Sequence, residues 1–224
     1  MIDLSGRRFI ASYSGGKDSI LAVYRAVKAG LTPAGLITTY NTDERRSWFH
    51  GVTENLLKEV SASLAMPLTL IKTSGERYEM NFEKSLAEAR RNGAEVCVFG
   101  DIDIEGHLEW CSKRCENAGL IPYFPLWKEG RKKLVYEFID AGFLSVITIV
   151  DTDRLSDKYL GQVLSRGVVD AIERDGADIC GENGEYHTFA FNGPLFSNTI
   201  VFDTKDKIKR GHYAILNIDG GDSV

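Results

Sequence analysis

The sequence predicts an α/β fold: a parallel sheet with helices on both faces, followed by a smaller C-terminal α+β domain. Two observations predict it. Through Phe99, short apolar runs alternate with amphipathic helical patterns, the signature of strands joined by helical crossovers. From Gly184 to Ile215 that alternation gives way to short strand-like runs broken by Asn192-Gly193-Pro194, which suggests hairpins.

Taken in order, Arg8–Tyr13 reads as a strand entering a glycine-rich turn. Asp18–Ala29 follows as a helix with Ile20, Val23, Tyr24 and Val27 on one face, and Gly30 stops it. Ala34–Tyr40 is a second strand. Val52, Leu56, Val60 and Leu64 mark a second helix, ending before Pro67. Leu68–Lys72 is a strand, Tyr78–Arg91 a helix closed by Asn92-Gly93, and Glu95–Phe99 a fourth strand. Beyond Gly100, His107–Ala118 reads as a helix. The turn-rich Ile121–Trp127 marks the domain boundary, giving an expected division into residues 1–120 and 121–224. Lys132–Ala141 and Leu164–Asp175 are expected helices and Phe143–Val150 a strand; the tail after Asn217 is expected to fray.

The composition suits a globular chain: 43% hydrophobic and 26% charged among 224 residues. With 27 basic against 32 acidic side chains the net charge is −5, which weighs against general nucleic-acid binding, since that needs a cationic surface. The opening residues carry no apolar stretch of signal-peptide length, and no later run approaches the roughly 20 residues of a membrane span. A cytoplasmic protein with reduced cysteines and no membrane partner is expected. Oligomeric state is not legible, and a homo-oligomer is compatible with the sequence.

The chemistry is carried by Ser14-Gly15-Gly16-Lys17-Asp18-Ser19, between the first strand and the first helix. Glycines let backbone N–H groups approach an anion, and a helix start adds its positive dipole end. Lys17 adds a mobile positive charge, and Ser14 and Ser19 add hydroxyls. The spacing differs from the Walker loop, so γ-phosphate transfer is not the natural reading. The structural alternative is a glycine turn with a capping aspartate.

This hexapeptide resembles the pyrophosphate loop of the N-type ATP pyrophosphatases. The resemblance implies a Rossmann-like, adenine nucleotide alpha hydrolase-like fold, with ATP and Mg2+ as cofactors and attack of a substrate atom on the α-phosphorus. By that resemblance Ser14, Gly15, Gly16 and Ser19 bind phosphate, Lys17 neutralises charge on the departing pyrophosphate, and Asp18 holds magnesium.

The chain further resembles the diphthine–ammonia ligase family over nearly its whole length. The match is carried by Gly100-Asp101-Ile102, by Trp110, Cys115 and Gly119-Leu120, by Pro125-Leu126-Trp127, and by Gly181-Glu182-Asn183-Gly184-Glu185-Tyr186-His187-Thr188-Phe189. It implies adenylation of a carboxylate, that of diphthine on elongation factor 2 in the family, followed by displacement of AMP by ammonia. Free ammonia is the expected donor, because the chain does not open Met-Cys and its first half is occupied by the nucleotide fold.

Read from the residues alone, Gly181 and Gly184 allow tight turns that display Glu182, Asn183, Glu185 and His187 close together. Such a cluster can bind ammonium, take its proton or grip a cationic group; the alternative is a hairpin with solvated carboxylates. Glu185 and His187 share strand parity and are expected to face inward as catalytic groups. Glu182, Asn183, Gly184 and Thr188 join them as expected substrate-binding residues. Gly100 and Asp101 lie at the carboxyl edge of a buried strand, where open α/β sheets bind ligands; a helix-capping aspartate is the alternative.

Cys111 and Cys115 lack the second half of a zinc site and are read as core thiols, as is Cys97. Cys180, beside the expected site, is read as more exposed. His50 and His107 stand alone and receive no role. Asp43–Arg46 is read as a solvated loop, with Arg45 or Arg46 able to close over phosphates. Competing readings are the same loop chemistry on tRNA or on another carboxylate, and a non-catalytic ATP-binding regulatory protein.

Overall fold

Strand β1 (Arg8–Ser12) organises the first sheet. It pairs in parallel with β2 (Thr32–Asn41) on one side and with β5 (Val96–Val98) on the other. A computed structural model describes residues 3–48 and 50–220. They form two compact units. The first holds Asp18–Trp48, Ala65–Lys128 and the residues up to Ser14; the second holds Gly15–Lys17, residues 50–64 and residues 129–220.

In the first unit β4 (Leu68–Thr73) adds in parallel to β2, and β6 (Ile121–Tyr123) adds in parallel to β5. The two-residue β3 (Arg46–Ser47) folds back antiparallel on the end of β2. The fold class is therefore α/β as expected, with two strands, β3 and β6, more than the sequence revealed. Ile121-Pro122-Tyr123 reads as turn, yet its proline sits on the sheet's end strand, which tolerates a missing N–H.

Helices α1 (Lys17–Lys28), α3 (Tyr78–Arg91) and α4 (Glu105–Ala118) flank this sheet. Ile10, Ile37, Ile71 and Cys97 share a core with Phe82 and Leu86 of α3 and with Cys111 and Cys115 of α4. Burial raises the thiol pKa of Cys97 and Cys111, so these are packing groups rather than thiolates. On α1 the buried set is Ile20, Leu21, Ala22, Val23 and Ala26, broader than the single stripe expected, while Tyr24 and Val27 are half-buried. The Asp43–Arg46 run is a tight turn in which Asn41 Oδ1 accepts the N–H groups of Asp43 and Glu44, and Arg45 is left-handed at φ 55°.

Helix α2 (Glu54–Ser63) belongs to the second unit. Its N-cap Thr53 accepts the N–H of Leu56, and it buries Leu56, Leu57 and Val60. It is joined there to the C-terminal region: Thr53 Oγ1 donates to Asp219 (3.1 Å) and Ser63 Oγ to the Asn198 carbonyl (2.8 Å). Helices α5 (Arg131–Asp140) and α6 (Arg166–Arg174) complete the unit's helices. Its sheet is antiparallel in the order β8-β7-β10-β9, formed by β7 (Leu144–Asp151), β8 (Tyr186–Asn192), β9 (Phe202–Arg210) and β10 (Tyr213–Gly220).

In this second sheet, among the described residues, only β9 and β10 form a simple hairpin. Asn192-Gly193-Pro194 leads out of β8 without pairing it to its successor, contrary to the hairpin expected there. The tail after Asn217 does not fray as expected up to Gly220, because Ile218, Asp219 and Gly220 pair with β9; residues 221–224 lie outside the described residues, as do Met1 and Ile2 of the opening segment. Strand β9 ends the sheet and is exposed at Lys205, Lys207 and Lys209. Among the described residues no helix is long and apolar enough to cross a membrane.

Candidate active site

The loop between β1 and α1 is shared between the units: Ser14, Asp18 and Ser19 count with the first, Gly15-Gly16-Lys17 with the second. Within the first, Ser14 Oγ donates to Ser19 Oγ (3.3 Å), and half-buried Asp18 stands in the first turn of α1. Gly100 follows β5 so closely on that turn that a Cβ there would lie 2.9 Å from Asp18 C and Ser19 N. A side chain at position 100 would push the helix start away.

Asp101 Oδ1 lies 3.2 Å from His107 Nδ1, so His107 does not stand alone as read. Asp101 does not cap α4, whose N-cap is Ile104. In the same unit the Trp110 and Tyr78 rings are 5.9 Å apart, with Trp48 edge-on to Tyr78 at 5.8 Å.

Within the second unit the loop lies along β8. Gly15, left-handed at φ 95°, accepts the N–H of Ala190 through its carbonyl (2.8 Å). The Lys17 N–H donates to Thr188 Oγ1 (3.1 Å), and its ammonium donates to the Cys180 carbonyl and lies 5.6 Å from the Tyr186 ring. Lys17 is only 4% exposed, so the charge expected to be mobile is held. Cys180, expected to be more exposed, is buried.

The segment 178–188 is organised by a residue that sequence reading missed. Asp178 accepts the N–H groups of Cys180 (3.1 Å) and Glu182 (3.0 Å) and pairs with Arg131 at 2.6 Å. Gly181 and Gly184 are left-handed at φ 70° and 89°, giving the tight turns expected of them. Glu182 is half-buried and Asn183 exposed, with Asn183 Oδ1 accepting from Arg131 (3.2 Å). Glu185 is buried, but it lies before β8 rather than in it. Its carboxylate turns back to accept the Asn183 N–H and amide, both at 3.1 Å. The expected shared parity of Glu185 and His187 on a strand therefore does not put Glu185 beside the imidazole.

His187 instead meets His50, ring centroids 5.0 Å apart at 70°. His50, left without a role by the sequence, hydrogen-bonds the Thr188 carbonyl through Nδ1 (2.8 Å). A carbonyl only accepts, so Nδ1 carries the proton. Burial, then the His187 ring and the Lys17 charge, lower the His50 pKa to about 3; burial and Lys17 lower that of His187 to about 4. Two neutral imidazoles therefore stand beside a buried ammonium near neutral pH. No group of three or more His, Cys, Asp or Glu among the described residues is placed to hold a metal ion.

The sequence matches the diphthamide synthase N-terminal domain over residues 7–122 and the diphthamide synthase C-terminal domain over residues 130–224. The chain belongs to the diphthamide synthase family. Relatives within it include the diphthine–ammonia ligase of Bos taurus, 26% identical over 90% of this chain and 85% of that protein. That of Danio rerio is 24% identical over 90% and 88%, and that of Homo sapiens 25% over 90% and 85%. Among solved structures, a predicted subunit of tRNA methyltransferase from Methanocaldococcus jannaschii covers 83% of this chain and 97% of its own, at a TM-score of 0.45 and 16% identity.

Proposed function

We propose that this member of the family is an ATP-dependent amide ligase: it adenylates a carboxylate, releases pyrophosphate, and aminates the acyl adenylate with ammonia to leave AMP. The observation that carries the reading is the bonding of two motifs 171 positions apart. The phosphate-type loop, through Gly15 and Lys17, is tied to the Gly181–Phe189 segment at Thr188 and to its flanking residues Cys180 and Ala190. These bonds support a reading in which loop chemistry and substrate chemistry meet along β8.

In this reading ATP binds with its β- and γ-phosphates on Ser14, Gly15, Gly16 and Ser19, while Lys17 offsets charge growing on pyrophosphate. Asp18 would hold Mg2+ together with those phosphates. A lone carboxylate fits that metal, which commonly takes one or two protein carboxylates and completes its shell with phosphates and water. The ion's part is to neutralise phosphate charge. The carboxylate oxygen attacks the α-phosphorus, and the bond to pyrophosphate breaks. Ammonia then adds to the acyl carbon. Neutral His187 takes the proton from the new ammonium nitrogen, and the C–O bond to AMP breaks. Glu185 holds the turn that presents this histidine. The substrate indicated by the relatives' names is diphthine.

Purified protein with ATP, ammonium and a carboxylate panel that includes diphthine-bearing elongation factor should release AMP and pyrophosphate in equal amounts. Lys17→Ala should abolish this, and accumulation of ADP would refute the reading.

A further inference from the structure

We propose that His50 is a positioning residue for the ligase reaction: its imidazole, anchored on Thr188 and laid against Gly16, fixes the phosphate loop on strand β8. The proposal deepens the ligase reading and rests on it for the reaction measured, but not for its binding and spectroscopic tests.

Gly16 has no side chain, and a Cβ there would lie 2.3 Å from His50 Cε1 and 2.9 Å from both ring nitrogens. Its three nearest neighbours are thus all atoms of one imidazole. Gly16 is not among the left-handed residues, so alanine would meet no backbone strain. The obstacle is the ring. That ring cannot easily retreat, because Nδ1 is held by the Thr188 carbonyl at 2.8 Å and one side packs on His187. Thr188 meanwhile accepts the Lys17 N–H through its hydroxyl, and Ala190 donates to the Gly15 carbonyl.

The residues on either side of Gly16 are therefore hydrogen-bonded to β8, and Gly16 itself lies against the ring. Together these contacts set where the Gly16 N–H and the Lys17 side chain point. In this chain the demand for glycine at position 16 comes from His50.

The test is a double-mutant cycle between Gly16→Ala and His50→Asn, whose amide nitrogen can replace Nδ1 on Thr188 while removing the atoms nearest Gly16. Gly16→Ala alone should lower kcat/KM for AMP formation about 100-fold, the scale of a misplacement near 1 Å. In the His50→Asn background the same substitution should cost at least about tenfold less. Calorimetric binding of an ATP analogue with a non-cleavable α–β bridge should show the same coupling, and nitrogen NMR of the wild type should show the His50 ring protonated at Nδ1.

Equal costs in the two backgrounds, or a ring protonated only at Nε2, would overturn the proposal. Should His50→Asn fail to fold, a crystal structure of Gly16→Ala decides: a displaced ring that has lost Thr188 supports it, and an unmoved ring refutes it. A wild-type protein that makes no AMP would sink the ligase reading alone, since binding and NMR would still decide the role of His50.

Discussion

The main-chain N–H of Lys17 donates to the side chain of Thr188 at 3.1 Å, so this loop residue is tied to a hydroxyl contributed by β8. Both residues are buried, Lys17 at 4% exposure and Thr188 at 1%. Thr188→Val keeps the shape but leaves that N–H without its acceptor, which costs about 1–3 kcal/mol. Urea unfolding should register the loss, and AMP formation should fall with it. A valine variant as stable and active as wild type would show that the bond matters little.

Acid should weaken the protein through His50 and His187. Their native pKa values, about 3 and about 4, lie below the ordinary 6.5, so below that pH the unfolded chain binds protons that the native rings refuse. Stability is then unaffected above about pH 6.5 and falls as pH drops toward 4, by up to about 1.4 kcal/mol per pH unit for each ring. Unfolding curves at pH 8, 6 and 5 should show this slope, and His187→Asn should flatten it. An unchanged slope in that variant would assign the acid sensitivity elsewhere.

Gly100→Ala tests the approach of β5 to α1. The added Cβ would stand 2.9 Å from backbone atoms of Asp18 and Ser19, which cannot rotate aside as a side chain would. A loss of about 1–3 kcal/mol is expected from overpacking. Nucleotide affinity measured by calorimetry should drop as well. Wild-type affinity in a folded Gly100→Ala protein would separate the position from the loop.

Glu185→Gln separates a turn-holding carboxylate from a proton acceptor. Glutamine retains one acceptor for the two Asn183 donors, so about 1 kcal/mol of stability should be lost. Turnover should stay within about tenfold of wild type, whereas removing a general base costs roughly 100- to 10,000-fold. A loss of that larger size would move the proton-accepting role from His187 to Glu185.

Much of the first unit was legible because its elements repeat with a clear period. Tyr78–Arg91 carries its closing Asn92-Gly93, and the structure ends the helix at Arg91. Strand β6 escaped notice because three residues with a central proline carry too little pattern. For α2, the face of Val52, Leu56, Val60 and Leu64 announces burial but not the surface that buries it. The order β8-β7-β10-β9 likewise depends on contacts remote in sequence.

At the candidate site, the loop glycines, Lys17 and Thr188 stood out through motif resemblance. His50 did not, since a single imidazole beside Gly51 has no local signature and its partners lie at Gly16, His187 and Thr188. Asp178 had a faint one: an aspartate two residues before Cys180, ahead of a glycine, is the pattern in which a side chain captures nearby N–H groups.

Lys207 and Lys209 fall at alternate positions of β9, opposite Leu216 and Ala214, and so project from one face of the sheet's last strand, while a register shift separates them from Lys205, which pairs with Asp219 at 3.6 Å. If a second copy docked its own β9 antiparallel about Lys207, ammonium would oppose ammonium along the seam, an arrangement that repels. Like charge at these positions disfavours that edge-to-edge pairing.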